Sequence, residues 1–226
     1  LYYVATGALV RQFDTGIGVV DIQLSADGET LISYLPNGTA VWWDVASGGR
    51  LRQIGYRGTP MTFSPNLDRN ALLQLDPETG GMQLTLTEAG TLDDEPLAYE
   101  PFYYDVMAFS ADSSEVAVAY NTTQLVIYEA ATGQMLQSFD MGIGNSATRV
   151  RFSPNGTSLV TTHRDGSIMI WDRGTGTAQR LIGHRVEVLL AEFVNNGEQI
   201  VSIDAAGTVI QWDLLPGNLR QRGCFN

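Results

Sequence analysis

Few side chains in this sequence could act as nucleophile, general base or soft metal ligand near neutral pH. There are two histidines, His163 and His184, and one cysteine, Cys224. A single cysteine leaves no intrachain disulfide and no Cys-based zinc site. Gly-x-Ser-x-Gly, His-Glu-x-x-His, Cys-x-x-Cys and a Walker loop are all absent. Gly142-Ile143-Gly144-Asn145-Ser146-Ala147 fits a dinucleotide fingerprint in letters only, because the segment after it reads as a strand, where a helix N-terminus would be needed to receive a pyrophosphate. Carboxylates are plentiful, as in Asp93-Asp94-Glu95, but have no partnered base. Asp27 and Asp165 sit in Asp-Gly turns, where the side chain serves nearby amides. His163, beside Arg164 and Asp165, is expected on the surface. No catalytic, cofactor or metal site is assigned.

Bulk properties narrow the classes further. The chain has 226 residues, 44% of them apolar, a formal charge of −12, thirteen arginines and no lysine. A field of that sign repels phosphates, so nucleic acid is not an expected partner. The longest apolar run, VEVLLAEFV, holds two glutamates and falls short of a bilayer span, so direct membrane insertion is not expected either. Arginine without lysine points to a GC-rich coding sequence. The opening LYYVATGALVRQF has no Met and no charged leader region, and reads as a piece of a longer protein. The lone cysteine favours the cytoplasm over secretion as the expected compartment.

What must position any functional residue is a repeat. Tyr2, Trp43, Thr85, Tyr128, Trp171 and Trp212 each stand five residues before a glycine, at intervals of 41, 42, 43, 43 and 41 residues. Upstream of the anchors recur QLSADGETL, TFSPNLDRNAL, AFSADSSEV, RFSPNGTSL and EFVNNGEQI, each an apolar residue, a polar turn and an apolar run. A second turn follows in each unit, as at Asn37-Gly38 and Asp165-Gly166, and supplies the positive φ that tight hairpins need. A fourth segment, such as GQMLQSF, comes after the anchor. Four short strands per unit of ~40 to 45 residues make a propeller blade.

Trp43-Asp44, Trp171-Asp172 and Trp212-Asp213 close their runs on Trp-Asp, and on these grounds the chain resembles the WD40-repeat β-propeller family. The resemblance implies an all-β fold of four-stranded antiparallel blades and points to a bacterial member or a fragment of a larger protein. The expected division is third and fourth strands of an incomplete blade at 1–13, then blades at 14–56, 57–98, 99–140, 141–183 and 184–226. Five and a half blades cannot close a ring. Since the family usually has seven, one to two blades are expected from the parent chain or another subunit.

The resemblance also assigns structural roles. The family blade carries a hydrogen-bonded His, Ser or Thr, Asp and Trp. The last unit offers His184, Ser202 and Trp212, with Ala206 where Asp is expected. The fourth offers Thr161, Asp165 and Trp171 with no His before it, and the first Ser33, Asn37 and Trp43. No blade is expected to complete the set, so stability should come mainly from apolar contact between blades.

One stretch departs from the repeat. Residues 91–108, TLDDEPLAYEPFYYDVMA, crowd Tyr99, Phe102, Tyr103 and Tyr104 among acidic residues that include Asp94 and Glu95. Aromatics give large contact area at low entropic cost. With Arg164, these are the candidate partner-binding residues, suited to a protein or peptide carrying Arg or Lys; the competing reading is that the rings fill a gap left by the weak second blade. The expected function is a non-catalytic interaction platform or sensor module. The alternatives are a structural assembly subunit that oligomerises through its incomplete blade, and a propeller hydrolase, for which two histidines are few.

Overall fold

Each unit folds as a meander because its apolar runs are strand-length and the turns between them are tight. The computed structural model describes residues 1, 6–55, 61–75, 82–88, 106–119, 123–142, 147–214 and 220–225. The first sheet holds Asp21–Leu24 (β1), Thr30–Leu35 (β2), Thr39–Asp44 (β3) and Arg50–Gly55 (β4). The second holds Met61–Phe63 (β5), Arg69–Leu75 (β6) and Met82–Glu88 (β7). The third holds Met107–Phe109 (β8), Glu115–Val118 (β9), Gln124–Glu129 (β10) and Met135–Asp140 (β11). Ala147–Phe152 (β12), Ser158–His163 (β13), Ser167–Asp172 (β14) and Ala178–Ile182 (β15) form the fourth, and Val188–Val194 (β16), Gln199–Asp204 (β17), Val209–Asp213 (β18) and Arg220–Phe225 (β19) the fifth. Strands are neighbours in chain order within every sheet, all antiparallel. The result is an all-β, five-bladed propeller arrangement, with no α-helix among the described residues.

The turn from first to second strand is closed by a hydroxyl in four of the five blades. Ser25, Ser64, Ser110 and Ser153 each accept the amide of the residue five positions on, at 2.9 to 3.0 Å. Each also donates to an acidic or amide side chain of the same turn: Asp27, Asp68, Asp112 or Asn155. The fifth blade has Val194 at this position, and the left-handed Asn195 and Asn196 make the turn instead. Asparagine tolerates that conformation better than most side chains.

The core lies between blades. One face of each sheet packs on the opposite face of the next, so Ile32, Tyr34, Ala40 and Trp42 of the first meet Met61, Phe63 and Leu72 of the second. Ala117, Leu125 and Ile127 of the third meet Val150, Leu159 and Trp171 of the fourth. Val160, Ile168 and Ile170 of the fourth meet Ala191, Ile200, Ile210 and Trp212 of the fifth. Trp43, Trp171 and Trp212 are all buried. They stand opposite Leu31, Leu159 and Ile200 in register. In the second blade that register falls on Thr87, opposite Asn70, and Thr87 Oγ1 donates to the fully buried Asn70. Thr85, expected as the anchor from its distance to Gly90, instead faces Leu72.

Before the first sheet, Val10 N donates to Leu1 O at 2.9 Å and Leu1 N donates to Arg11 O at 2.7 Å. Phe13 then sets its edge on Trp43 with ring centroids 5.8 Å apart.

Candidate functional site

The constellation closest to catalytic geometry among the described residues is in the fifth blade. Ser202 and Asp204 are two apart on β17, so their side chains share a face, and Ser202 pairs with Ile210, two residues before Trp212. Ser202 Oγ lies 2.7 Å from His184 Nε2, and His184 Nδ1 lies 2.9 Å from Asp204 Oδ2. These are the contacts of a Ser-His-Asp nucleophile system. Every other contact turns it into a strut. Trp212 Nε1 donates to Ser202 Oγ at 2.8 Å, and Asp204 Oδ1 accepts Ala206 N and Thr208 N at 3.0 and 2.9 Å. Ser202, His184 and Asp204 are all buried, so the hydroxyl is closed off from any substrate.

The proton arrangement follows from Asp204. Burial works to raise its carboxyl, but hydrogen bonds from Thr208, His184 and Ala206 outweigh burial and hold it below the ordinary carboxylate range. The ionised Asp204 accepts Nδ1–H of His184. The expectation that no blade completes the set is therefore overturned: Asp204 fills the place that Ala206 could not.

In the fourth blade Trp171 Nε1 donates to Thr161 Oγ1 at 3.0 Å, and Thr161 Oγ1 lies 2.9 Å from His163 Nε2. His163 occupies the strand position of Asp204 and is buried, so the expectation of a surface histidine is also overturned. Residues two apart on a strand share a face, and that parity carries His163 inward beside Thr161. Asp165 lies outside this network. Its carboxylate accepts the amide and hydroxyl of Ser167 at 2.9 and 2.6 Å and pairs with Arg180 at 2.6 Å. Burial tends to raise it, and these partners, with the field of His163, hold it below the ordinary range. The first blade keeps only Trp43 Nε1 donating to Ser33 Oγ at 2.9 Å; Asn37 is exposed in its turn.

In a meander, the turn from second to third strand and the connection to the next blade leave the sheet at the same end. Gly166 shows how closely they meet: at φ +83 a Cβ there would lie 2.8 Å from His184 O and 3.0 Å from Val186 O. At the same end Arg164 is exposed, with Nε 4.0 Å from Glu187 Oε1. Tyr99, Phe102, Tyr103, Tyr104, Asp94 and Glu95, of the connection between the second and third blades, lie outside the described residues.

Along the first strands, Asp21 Oδ2 of β1 meets Arg149 Nη1 at 3.3 Å and Arg151 Nη2 at 3.5 Å from β12, and Arg151 Nε meets Glu192 of β16 at 3.0 Å. Sequence reading missed this cluster, since residues 128 and 130 apart come together only through the blade arrangement.

Residues 134–172 match the family model described as WD domain, G-beta repeat. The chain is 28% identical over 112 residues to Protein tipD of Dictyostelium discoideum, covering 49% of this chain and 18% of that protein. It is 29% identical over 110 residues to Target of rapamycin complex subunit wat1 of Schizosaccharomyces pombe, covering 48% of this chain and 34% of that protein. It is 24% identical over 220 residues to Centriole proteome protein 16 of Chlamydomonas reinhardtii, covering 90% of this chain and 10% of that protein. The chain thus spans between a tenth and a third of the length of these relatives.

Proposed function

We propose that this chain, a member of the WD40-repeat β-propeller family, is a non-catalytic protein-interaction platform or sensor module of a larger protein. The observation that carries the reading is the use made of its chemistry-bearing residues. His184, Ser202 and Asp204 are buried and bonded to one another and to Trp212, and His163 is buried against Thr161. Residues spent on holding blades together leave recognition to the surface. The name of wat1 as a complex subunit fits a scaffold role. Propeller folds host many functions, so the assignment rests on the site and not on the fold.

The recognition surface of this reading is proposed from the sequence of residues 91–105, together with the exposed Arg164. Its partner is a protein or peptide with basic and apolar side chains, steered by the −12 charge and held by Tyr99, Phe102, Tyr103 and Tyr104. Replacing those four rings with Ser tests it. The expected result is loss of partner capture from a lysate of the source cells at unchanged melting temperature. Collapse of the fold would make the rings core and remove the surface from the account. A second reading, a structural assembly subunit, is favoured by the exposed apolar residues of the first strand, Ile22 and Leu24.

A further inference from the structure

The outermost strands of three blades differ in charge. β11 carries no cation, and on β15 Arg180 is paired with Asp165 at 2.6 Å. β4, Arg50-Leu51-Arg52-Gln53-Ile54-Gly55, carries two arginines and is exposed over its first four residues. Arg50 stands opposite Trp43 and Arg52 opposite Trp42, with a register shift between the two tryptophans. Their guanidinium carbons lie 5.5 and 5.6 Å from the respective ring centroids, and Arg50 Nη1 donates to Gln53 Oε1 at 3.0 Å. Among the described residues no carboxylate pairs with either guanidinium. Asp44, at the end of β3, accepts Ser47 N at 2.6 Å and lies in the field of Arg11. In a chain of charge −12, β4 is thus a cationic edge held in place by stacking instead of by acids. Leu51, between the arginines, is 59% exposed. β4 pairs with β3 on one side, and no described strand pairs with it on the other.

We infer that the outer edge of β4 is the docking site for an acidic extended segment of a partner protein, which adds to the first sheet as a fifth strand. An edge strand offers unpaired N–H and C=O groups, and charges on it repel strands of like sign and admit those of opposite sign. Stacking orders both guanidinium groups before a partner arrives, and each can then take a carboxylate through two N–H donors. Trp42 packs on Phe63 and Trp43 on Phe13, on opposite faces of the sheet. The two arginines therefore sit over opposite faces. Successive strand residues also point to opposite faces, so the segment that fits carries two adjacent acids flanked by β-branched residues. Its charge is opposite to that of the basic peptide proposed above, and the inference stands or falls independently of that reading.

The test uses the 226-residue chain and a short end-capped probe peptide of Val and Thr with two adjacent glutamates at its centre. Backbone amide exchange in β4 is expected to slow about tenfold or more in the presence of the probe, while exchange in β11 and β15 stays unchanged. No slowing in β4 at about 1 mM probe would overturn the inference. By fluorescence polarisation, changing Arg50→Gln and Arg52→Gln together is expected to weaken binding about tenfold or more at unchanged melting temperature. Unchanged affinity would overturn the assignment of the two arginines. Gln in place of both probe glutamates is expected to abolish binding. N-methylation of every probe amide keeps the charge and removes the donors, so equal binding by that probe would overturn strand addition. Salt gives the same reading on the parent chain if the variant fails to fold. Affinity is expected to fall between about 0.05 and 0.5 M salt, and a salt-independent affinity would contradict an acidic partner.

Discussion

The fourth and fifth blades place a tryptophan over a hydroxyl at the same register and then part ways. In the fifth, His184 arrives from the connection before the first strand and is held between Ser202 and Asp204. In the fourth, His163 comes from the second strand itself, at the place Asp204 takes in its neighbour, and reaches Thr161 directly. One network is tied to the connection that precedes its sheet, and the other closes within its sheet. The Trp–hydroxyl contact is thus the constant part, and the histidine can enter by either route. The first blade, with Trp43 on Ser33 alone, shows the same constant with no histidine.

The largest expected effect is common to both blades. Trp171→Ala and Trp212→Ala should each cost about 3–5 kcal/mol in denaturant unfolding, because each empties a volume between two sheets. A cost below about 1 kcal/mol at either site would break the equivalence of the blades.

Next comes the link between them. Gly166→Ala puts a Cβ against His184 O and Val186 O at positive φ, and should cost about 1–3 kcal/mol. If the fifth-blade network depends on that approach, Gly166→Ala and His184→Ala should be non-additive, which a double-mutant cycle measures.

Acid should separate the two blades further. Asp204 is held below the ordinary carboxylate range, so the unfolded chain binds its proton more readily than the folded one. Its contribution is fully present above about pH 4 and is lost as pH falls through the lowered folded value. Asp204→Asn should lower the melting temperature at neutral pH and reduce its fall on acidification. Asp165 is shifted the same way but half exposed, so Asp165→Asn should change the acid limb less. The smallest effect belongs to Arg164→Ala, at an exposed side chain 4.0 Å from Glu187, which should stay within about 0.5 kcal/mol of the parent.

Strands and turns were legible because they rest on local rules: apolar runs of strand length, Asp-Gly and Asn-Gly at the hairpins, and an anchor spaced by a whole blade. The networks were less so, because they depend on which residues share a face. Sequence spacing looked for an acid in the turn and found Ala206. Strand parity, the same rule that pairs Ser202 with Trp212, points to Asp204 and turns His163 inward. Thr85 misled because it was chosen by its distance to Gly90, whereas the β6–β7 register puts Thr87 opposite Asn70. The Asp21, Arg149 and Arg151 cluster has no local signal at all.

The most direct test of the central claim, that the Ser-His-Asp set of the fifth blade is structural, is the unfolding free energy of Ser202→Ala. Removing the hydroxyl strands the Trp212 indole N–H and His184 Nε2 in a buried site, and the account predicts a loss of about 1–3 kcal/mol. A nucleophile held for catalysis behaves differently, since its removal commonly leaves stability unchanged or raises it. Stability equal to or above that of the parent would contradict the account.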